Sequence, residues 1–165
     1  MFRNRQNRPR RSLPPVAPEN AAEILLASEG RPFTEDALKL AARMSKEGRG
    51  RAMVITIARL HGTSFGLPNP GLQPNRREMA EQEEIVESAI AKLKKLGVPA
   101  DGHIAITRSP RKSILKEARR CHCSAIVMGA DPKRNPIVSS LMWSQEPYRV
   151  RRRSDIPVHL VETSP

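Results

Sequence analysis

The chain has 165 residues, 29 Lys and Arg against 17 Asp and Glu, a formal net charge of +12 and 38% hydrophobic residues. That length and composition suit one domain with a real core. No apolar run approaches the ~20 residues of a membrane-spanning helix. The charged start leads into Leu13-Pro14-Pro15-Val16 instead of a long apolar stretch, so no secretory signal is expected. Cys121 and Cys123 stand too close together for a disulfide framework. A cytoplasmic location follows as the expectation.

Residues 1–20 are expected to form a disordered basic tail. Arg3, Arg5, Arg8, Arg10 and Arg11 give residues 1–12 a formal +5 with no acid. A basic, Pro-containing, apolar-poor segment cannot bury enough surface to offset its ordering entropy. Such a tail suits an acidic partner such as RNA, or serves as a solubilising extension. It lacks aromatics spaced to stack bases.

From residue 21 to 165 the pattern alternates within one domain. Glu23–Ser28 is an apolar run closed by Glu29-Gly30, which predicts a strand. Phe33, Ala37, Leu38, Ala41 and Met44 recur at helical spacing, with Pro32 in the first turn and Gly48 and Gly50 as the stop. Ala52–Ala58 is apolar throughout, as a strand covered on both faces should be. His61–Asn75 is a long loop rich in Gly and Pro. Met79, Val86, Ala89, Ile90 and Leu93 mark a long amphipathic helix that ends at Gly97 and Pro99. His103–Thr107 predicts a third strand, and Ser109-Pro110 the cap of a helix burying Ile114, Leu115 and Ala118. Ser124–Met128 predicts a fourth strand, followed by a turn at Gly129. Asn135-Pro136 would open a last helix, with Ile137, Val138, Leu141 and Met142 inward and Pro147 ending or kinking it. Pro157–Glu162 would be a closing edge strand. Strands and helices in alternation predict an α/β fold, a doubly wound parallel sheet with helices on both faces.

Three segments carry a family resemblance. Ile24–Gly30, Ala125–Gly129 and Asp155–Val161 resemble, in order and spacing, the first, fourth and closing strands of the universal stress protein family. The resemblance covers about residues 22–163 and implies five parallel strands in the order 3-2-1-4-5. It implies a ligand crevice between the first and fourth strands, where the topology reverses. It also implies a regulatory or protective, non-catalytic role, a homodimer formed through the edge strand Val158–Glu162, and an adenine nucleotide such as ATP as ligand. The nucleotide site so implied comprises Ser28, Glu29, Gly30, Ile57, Gly129, Ala130, Lys133, Arg134, Ser139 and Ser140.

The family's G-x2-G-x9-G-[ST] loop is degraded here. Gly129 fills the first position, Pro132 replaces the second glycine, and Met142-Trp143 replace the final pair. Proline has no N–H to offer a phosphate. Glu29 stands where the family has Asp. Arg31, Lys133 and Arg134 flank the same mouth and could hold a phosphate by charge. Nucleotide binding is thus expected to be weak or lost, with retained ATP binding as the alternative. A tail-driven nucleic-acid or ribosome-associated protein is the other alternative.

No other motif supplies chemistry. Cys121-His122-Cys123 lacks the second ligand pair of a zinc site, and His61, His103 and His159 are isolated. The thiols read as core or strand-entry residues. No catalytic triad, paired carboxylates or full P-loop is visible, so no catalytic residue and no metal ligand is expected. Arg149 and Arg151–Arg153 form a basic run, either a solvated helix end or a second anion patch. Trp143 and Tyr148 would cover an apolar mouth, fill the nucleotide site or meet a partner.

Overall fold

A computed structural model describes residues 23–60, 63–64, 67–68, 73–131 and 145–162. Its elements in chain order are β1 (Glu23–Ser28), α1 (Glu35–Glu47), β2 (Ala52–Arg59), β3 (Thr63–Ser64) and β4 (Leu67–Pro68). There follow α2 (Arg76–Lys95), β5 (Ala100–Thr107), α3 (Pro110–Arg120), β6 (Cys123–Ala130), α4 (Glu146–Arg153) and β7 (Val158–Glu162). Five parallel strands form one sheet in the order β5-β2-β1-β6-β7. Counting only these five strands, that is the expected 3-2-1-4-5 order. β3 and β4 pair as a small antiparallel hairpin inside the long loop.

β1 lies at the centre because its residues are apolar on both faces. Ile24 and Leu26 pack toward α1 and α2, together with Val54, Leu38, Ala41, Val86 and Leu93. Leu25 and Ala27 pack the other way, with Ile55, Ile114, Ala118, Ile126 and Val150 of α3, α4 and the sheet. Leu25 and Leu26 are wholly buried, each stabilising the fold by about 1.5–3 kcal/mol relative to exposure.

Capping residues fix the helix starts. Thr34 accepts from the Ala37 amide at 3.2 Å and opens α1. Pro32 therefore precedes the helix instead of sitting in its first turn. Asn75 and Glu78 form a reciprocal capping box at α2. Ser109 occupies the cap position of α3, but its side chain makes no capping bond. Its amide instead donates to Thr107 Oγ1 at 3.0 Å.

Three boundaries differ from the sequence expectation. β5 starts at Ala100, because its ladder with β2 begins at Ala52↔Ala100. Gly102 is needed within it, since a Cβ there would lie 2.6 Å from the Val54 carbonyl oxygen. β6 continues through Gly129 and Ala130, which pair with Val161 and Glu162. Gly129 thus lies within the strand, one residue before its end, not in a turn. Pro147 starts a helix rather than ending one. It stands in the first turn of α4, where a missing N–H costs nothing. The helix expected over 136–142 lies outside the described residues.

Candidate functional site

The carboxyl ends of β1 and β6 diverge at the topological reversal, and the residues just beyond them line the crevice. Ser28 closes β1 by a local turn, its Oγ donating to the Arg31 carbonyl at 2.5 Å and accepting from the Arg31 amide at 3.0 Å. Gly30 has φ +101°, and a Cβ there would lie 2.9 Å from the Ile57 carbonyl oxygen. Gln82 of α2 ties this turn down. Its Nε2 donates to the Gly30 carbonyl at 3.0 Å, and its Oε1 accepts from Thr56 Oγ1 at 2.6 Å.

Two ion pairs cross the mouth. Arg59, at the end of β2, places Nη2 2.8 Å from Glu29 Oε2, and the Glu29 side chain is 6% exposed. Arg31 Nη1 donates to both carboxylate oxygens of Asp131, at 3.1 and 2.9 Å. The Asp131 side chain is 5% exposed against 50% for Arg31. Tyr148 of α4 closes the same corner by donating to the Asp131 carbonyl at 2.6 Å. Charge-assisted pairs of this kind are the stronger hydrogen bonds, because donor and acceptor are both ionised.

Two small clefts meet at Glu29. One cleft of about 200 Å³ is lined by Ser28, Glu29, Arg31, Phe33, Met128 and Gly129. A second of about 200 Å³ lies between Glu29, Gly30, Ile57, Arg59, Glu78 and Gln82. Each falls below the roughly 300–1,000 Å³ usual for small-molecule sites. A wider groove of about 410 Å³ opens between α1 and α2, over Phe33, Leu38 and Ile85. It extends between the helices from Gly30, Pro32 and Phe33 at the end of β1, and it shares Gly30 and Gln82 with the second cleft.

The structure thus gathers Ser28, Glu29, Gly30, Ile57, Gly129 and Ala130 at the carboxyl ends of β1, β2 and β6. Ile57 is buried in β2 and lines the second cleft. A Cβ on Gly129 would meet nothing within 4 Å, so its exposed side is open. Lys133, Arg134, Ser139 and Ser140, the replacements Pro132 and Met142-Trp143, and the tail arginines lie outside the described residues. Sequence reasoning missed Arg59, Gln82 and Asp131. The one available signal was an acid two residues after Gly129, placed like Glu29 just past a strand.

The two cysteines sit at the opposite end of the sheet. Cys121 donates to Glu117 Oε1 at 3.3 Å, and Arg120 grips the same carboxylate at 3.0 and 2.5 Å. Arg120 thereby holds Glu117 below the usual carboxylate range. Burial, reinforced by the Glu117 bond, pushes Cys121 up to about 11. Burial and the neighbouring Cys121 push Cys123 up to about 12. Thiolate is the reactive form, so both thiols should alkylate far more slowly at neutral pH in the folded chain than in denaturant, as mass spectrometry would show. Because the folded pKa values lie above the ordinary thiol value, the folded state keeps these protons longer. Stability from this source is complete below about pH 9 and declines as pH rises toward 11–12. A melting temperature unchanged between those limits would contradict this. Among the described residues no group of three His, Cys, Asp or Glu side chains could hold a metal.

A five-stranded parallel sheet in this order, with a crevice at its reversal point, defines a doubly wound α/β protein. The universal stress protein family model matches residues 22–162, and the chain belongs to that family. No curated protein matches it by sequence. Solved structures agree on the fold. A universal stress protein from Archaeoglobus fulgidus in complex with dAMP is 18% identical, with a TM-score of 0.63 over 86% of this chain and 98% of that one. A family protein from Burkholderia pseudomallei is 21% identical, with a TM-score of 0.61 over 87% and 98%. One from Arabidopsis thaliana with AMP bound is 14% identical, with a TM-score of 0.54 over 87% and 92%.

Proposed function

We propose that the chain is a non-catalytic universal stress protein, regulatory or protective in role, whose adenine-nucleotide binding is weak or lost. The observation that carries this reading is the pair of bonds across the crevice, Glu29–Arg59 and Arg31–Asp131. Relatives of the same fold have been solved with dAMP and AMP. In this chain a nucleotide entering the reversal point meets an acid already engaged by Arg59 and a cation already engaged by Asp131. Its sugar hydroxyls and phosphates must displace those bonds, and the gain is correspondingly small. Pro132 adds to this, because the loop position it fills cannot donate an N–H.

β7 supports the homodimer as part of the proposal. It pairs with β6 on one side, and no strand among the described residues covers its other edge. An uncovered parallel edge favours pairing with a second copy. No helix among the described residues is long and apolar enough to cross a membrane.

Arg59→Ala tests the reading. Removing the guanidinium that engages Glu29 should raise affinity for AMP or ATP several-fold in calorimetric titration, because nothing then has to be displaced at the second cleft. An Arg59→Ala variant that binds nucleotide no better than the parent, or worse, contradicts the displacement argument.

A further inference from the structure

The chain's excess charge is confined to two places. α3 carries Arg111, Lys112, Lys116, Arg119 and Arg120, and α4 carries Arg149, Arg151, Arg152 and Arg153. Against these nine cations the two helices hold Glu117 and Glu146, a formal net of +7. The helices of the other sheet face are balanced. α1 has three acids and three bases, and α2 has five of each. The +7 of α3 and α4 and the +5 of residues 1–12 together equal the chain's +12. The domain is therefore neutral on one face and strongly basic on the other.

The basic face is an ordered array. α3 and α4 pack on the same side of the sheet, through Ile114, Leu115, Ala118 and Val150. Lys112, Lys116, Arg119 and Arg120 recur at i, i+4, i+7 and i+8 and are all exposed, so they form one stripe along α3. Arg149, Arg152 and Arg153 form a second stripe at i, i+3 and i+4 on α4. The first stripe is ~12 Å long, and helices packed in contact run ~8–10 Å apart. The carboxylates nearby are already taken, with Glu117 held by Arg120, Glu146 by Arg149 and Asp155 by Arg119. Among the described residues no ion pair engages Lys112, Lys116, Arg151, Arg152 or Arg153.

We propose that this α3–α4 face binds the phosphate backbone of duplex nucleic acid. Two neighbouring rows of cations on packed helices suit the regular charge of a double helix, which carries one negative charge per ~1.7 Å of axis. Single strands are held largely by aromatic stacking. The described aromatic here is Tyr148, whose hydroxyl donates to Asp131 and whose ring is covered by Arg151 at 5.9 Å. A membrane surface is disfavoured for a related reason. The large hydrophobic side chain exposed among the described residues is Ile106, on β5, and the face offers nothing to insert into lipid. Recognition of this kind reads charge and shape, without preference for base sequence. It is independent of the nucleotide crevice and does not require the tail.

The test is fluorescence anisotropy of the full chain with a labelled duplex of about 20 base pairs, repeated between about 50 and 200 mM salt. The variant Lys112→Gln/Lys116→Gln/Arg152→Gln/Arg153→Gln is compared with one in which Arg3, Arg5, Arg8, Arg10 and Arg11 are replaced by Gln. The α3 and α4 pairs are also tested separately, so a folding defect in one leaves the other to decide. The face variant should bind at least tenfold more weakly, and its log–log salt slope should flatten by about 3–4. The tail variant should keep the parent's face-dependent slope. A face variant with an unchanged melting temperature and undiminished affinity overturns the proposal. So does a loss confined to the tail variant, or binding to phosphatidylserine vesicles without binding to the duplex.

Discussion

Replacing Gly30 with alanine is expected to lower the melting temperature by roughly 5–10 °C. Two costs coincide at this position. Its φ of +101° is one that side-chain-bearing residues rarely adopt. The added Cβ would also lie 2.9 Å from the Ile57 carbonyl oxygen. That oxygen belongs to β2, which is held on both sides by β1 and β5 and cannot withdraw cheaply. Together these are worth about 2–3 kcal/mol, and a chain of this size loses about 2–4 °C per kcal/mol. Gly129→Ala is the matched control. Its Cβ would stand in open space, so its melting temperature should stay within about 1 °C of the parent's. If the two substitutions cost the same, the Gly30 turn is not the tight point of the crevice.

Restoring the loop chemistry should recover nucleotide binding. The triple change Pro132→Gly, Met142→Gly and Trp143→Ser rebuilds the G-x2-G-x9-G-S spacing that starts at Gly129. It returns an N–H at residue 132 and replaces two large side chains at the positions where the family's phosphate-loop pattern has Gly and Ser. ATP affinity is expected to rise at least tenfold, about 1.4 kcal/mol or more, as read by calorimetry. Adding Arg59→Ala should increase it further, because that change frees Glu29 from its ion pair, independently of the loop. A rebuilt loop with the parent's affinity would place the obstacle elsewhere.

The fold was largely legible because its central strands are apolar on both faces. Ile24–Ala27, Ala52–Ile57 and Ala125–Met128 announce themselves without any knowledge of their neighbours. α4 was not legible. It buries only Pro147 and Val150, too few for a periodicity, and a proline after an acid reads equally as a stop or a start. The ion pairs of the crevice were hidden for a different reason. Glu29 and Arg59 are 30 residues apart, and Arg31 and Asp131 are 100 apart. Their meeting depends on the parallel register of β1 with β2 and β6, which no local pattern encodes. Arg31 was visible as a cation at the mouth, but its commitment to Asp131 was not. The basic face was half visible. Arg151–Arg153 stand out as a run, whereas Lys112 and Lys116 join them only when α3 and α4 pack side by side.

The most direct test is the melting temperature of the unmodified chain, freed of copurified nucleotide, with and without about 1 mM ATP. With the crevice closed by its own ion pairs, affinity should be no better than about 1 mM. Mass action then gives at most about 0.4 kcal/mol, a shift of no more than about 2 °C. A saturable shift above about 5 °C corresponds to binding at about 0.1 mM or tighter. That result would contradict the claim that Glu29–Arg59 and Arg31–Asp131 hold the site against a nucleotide.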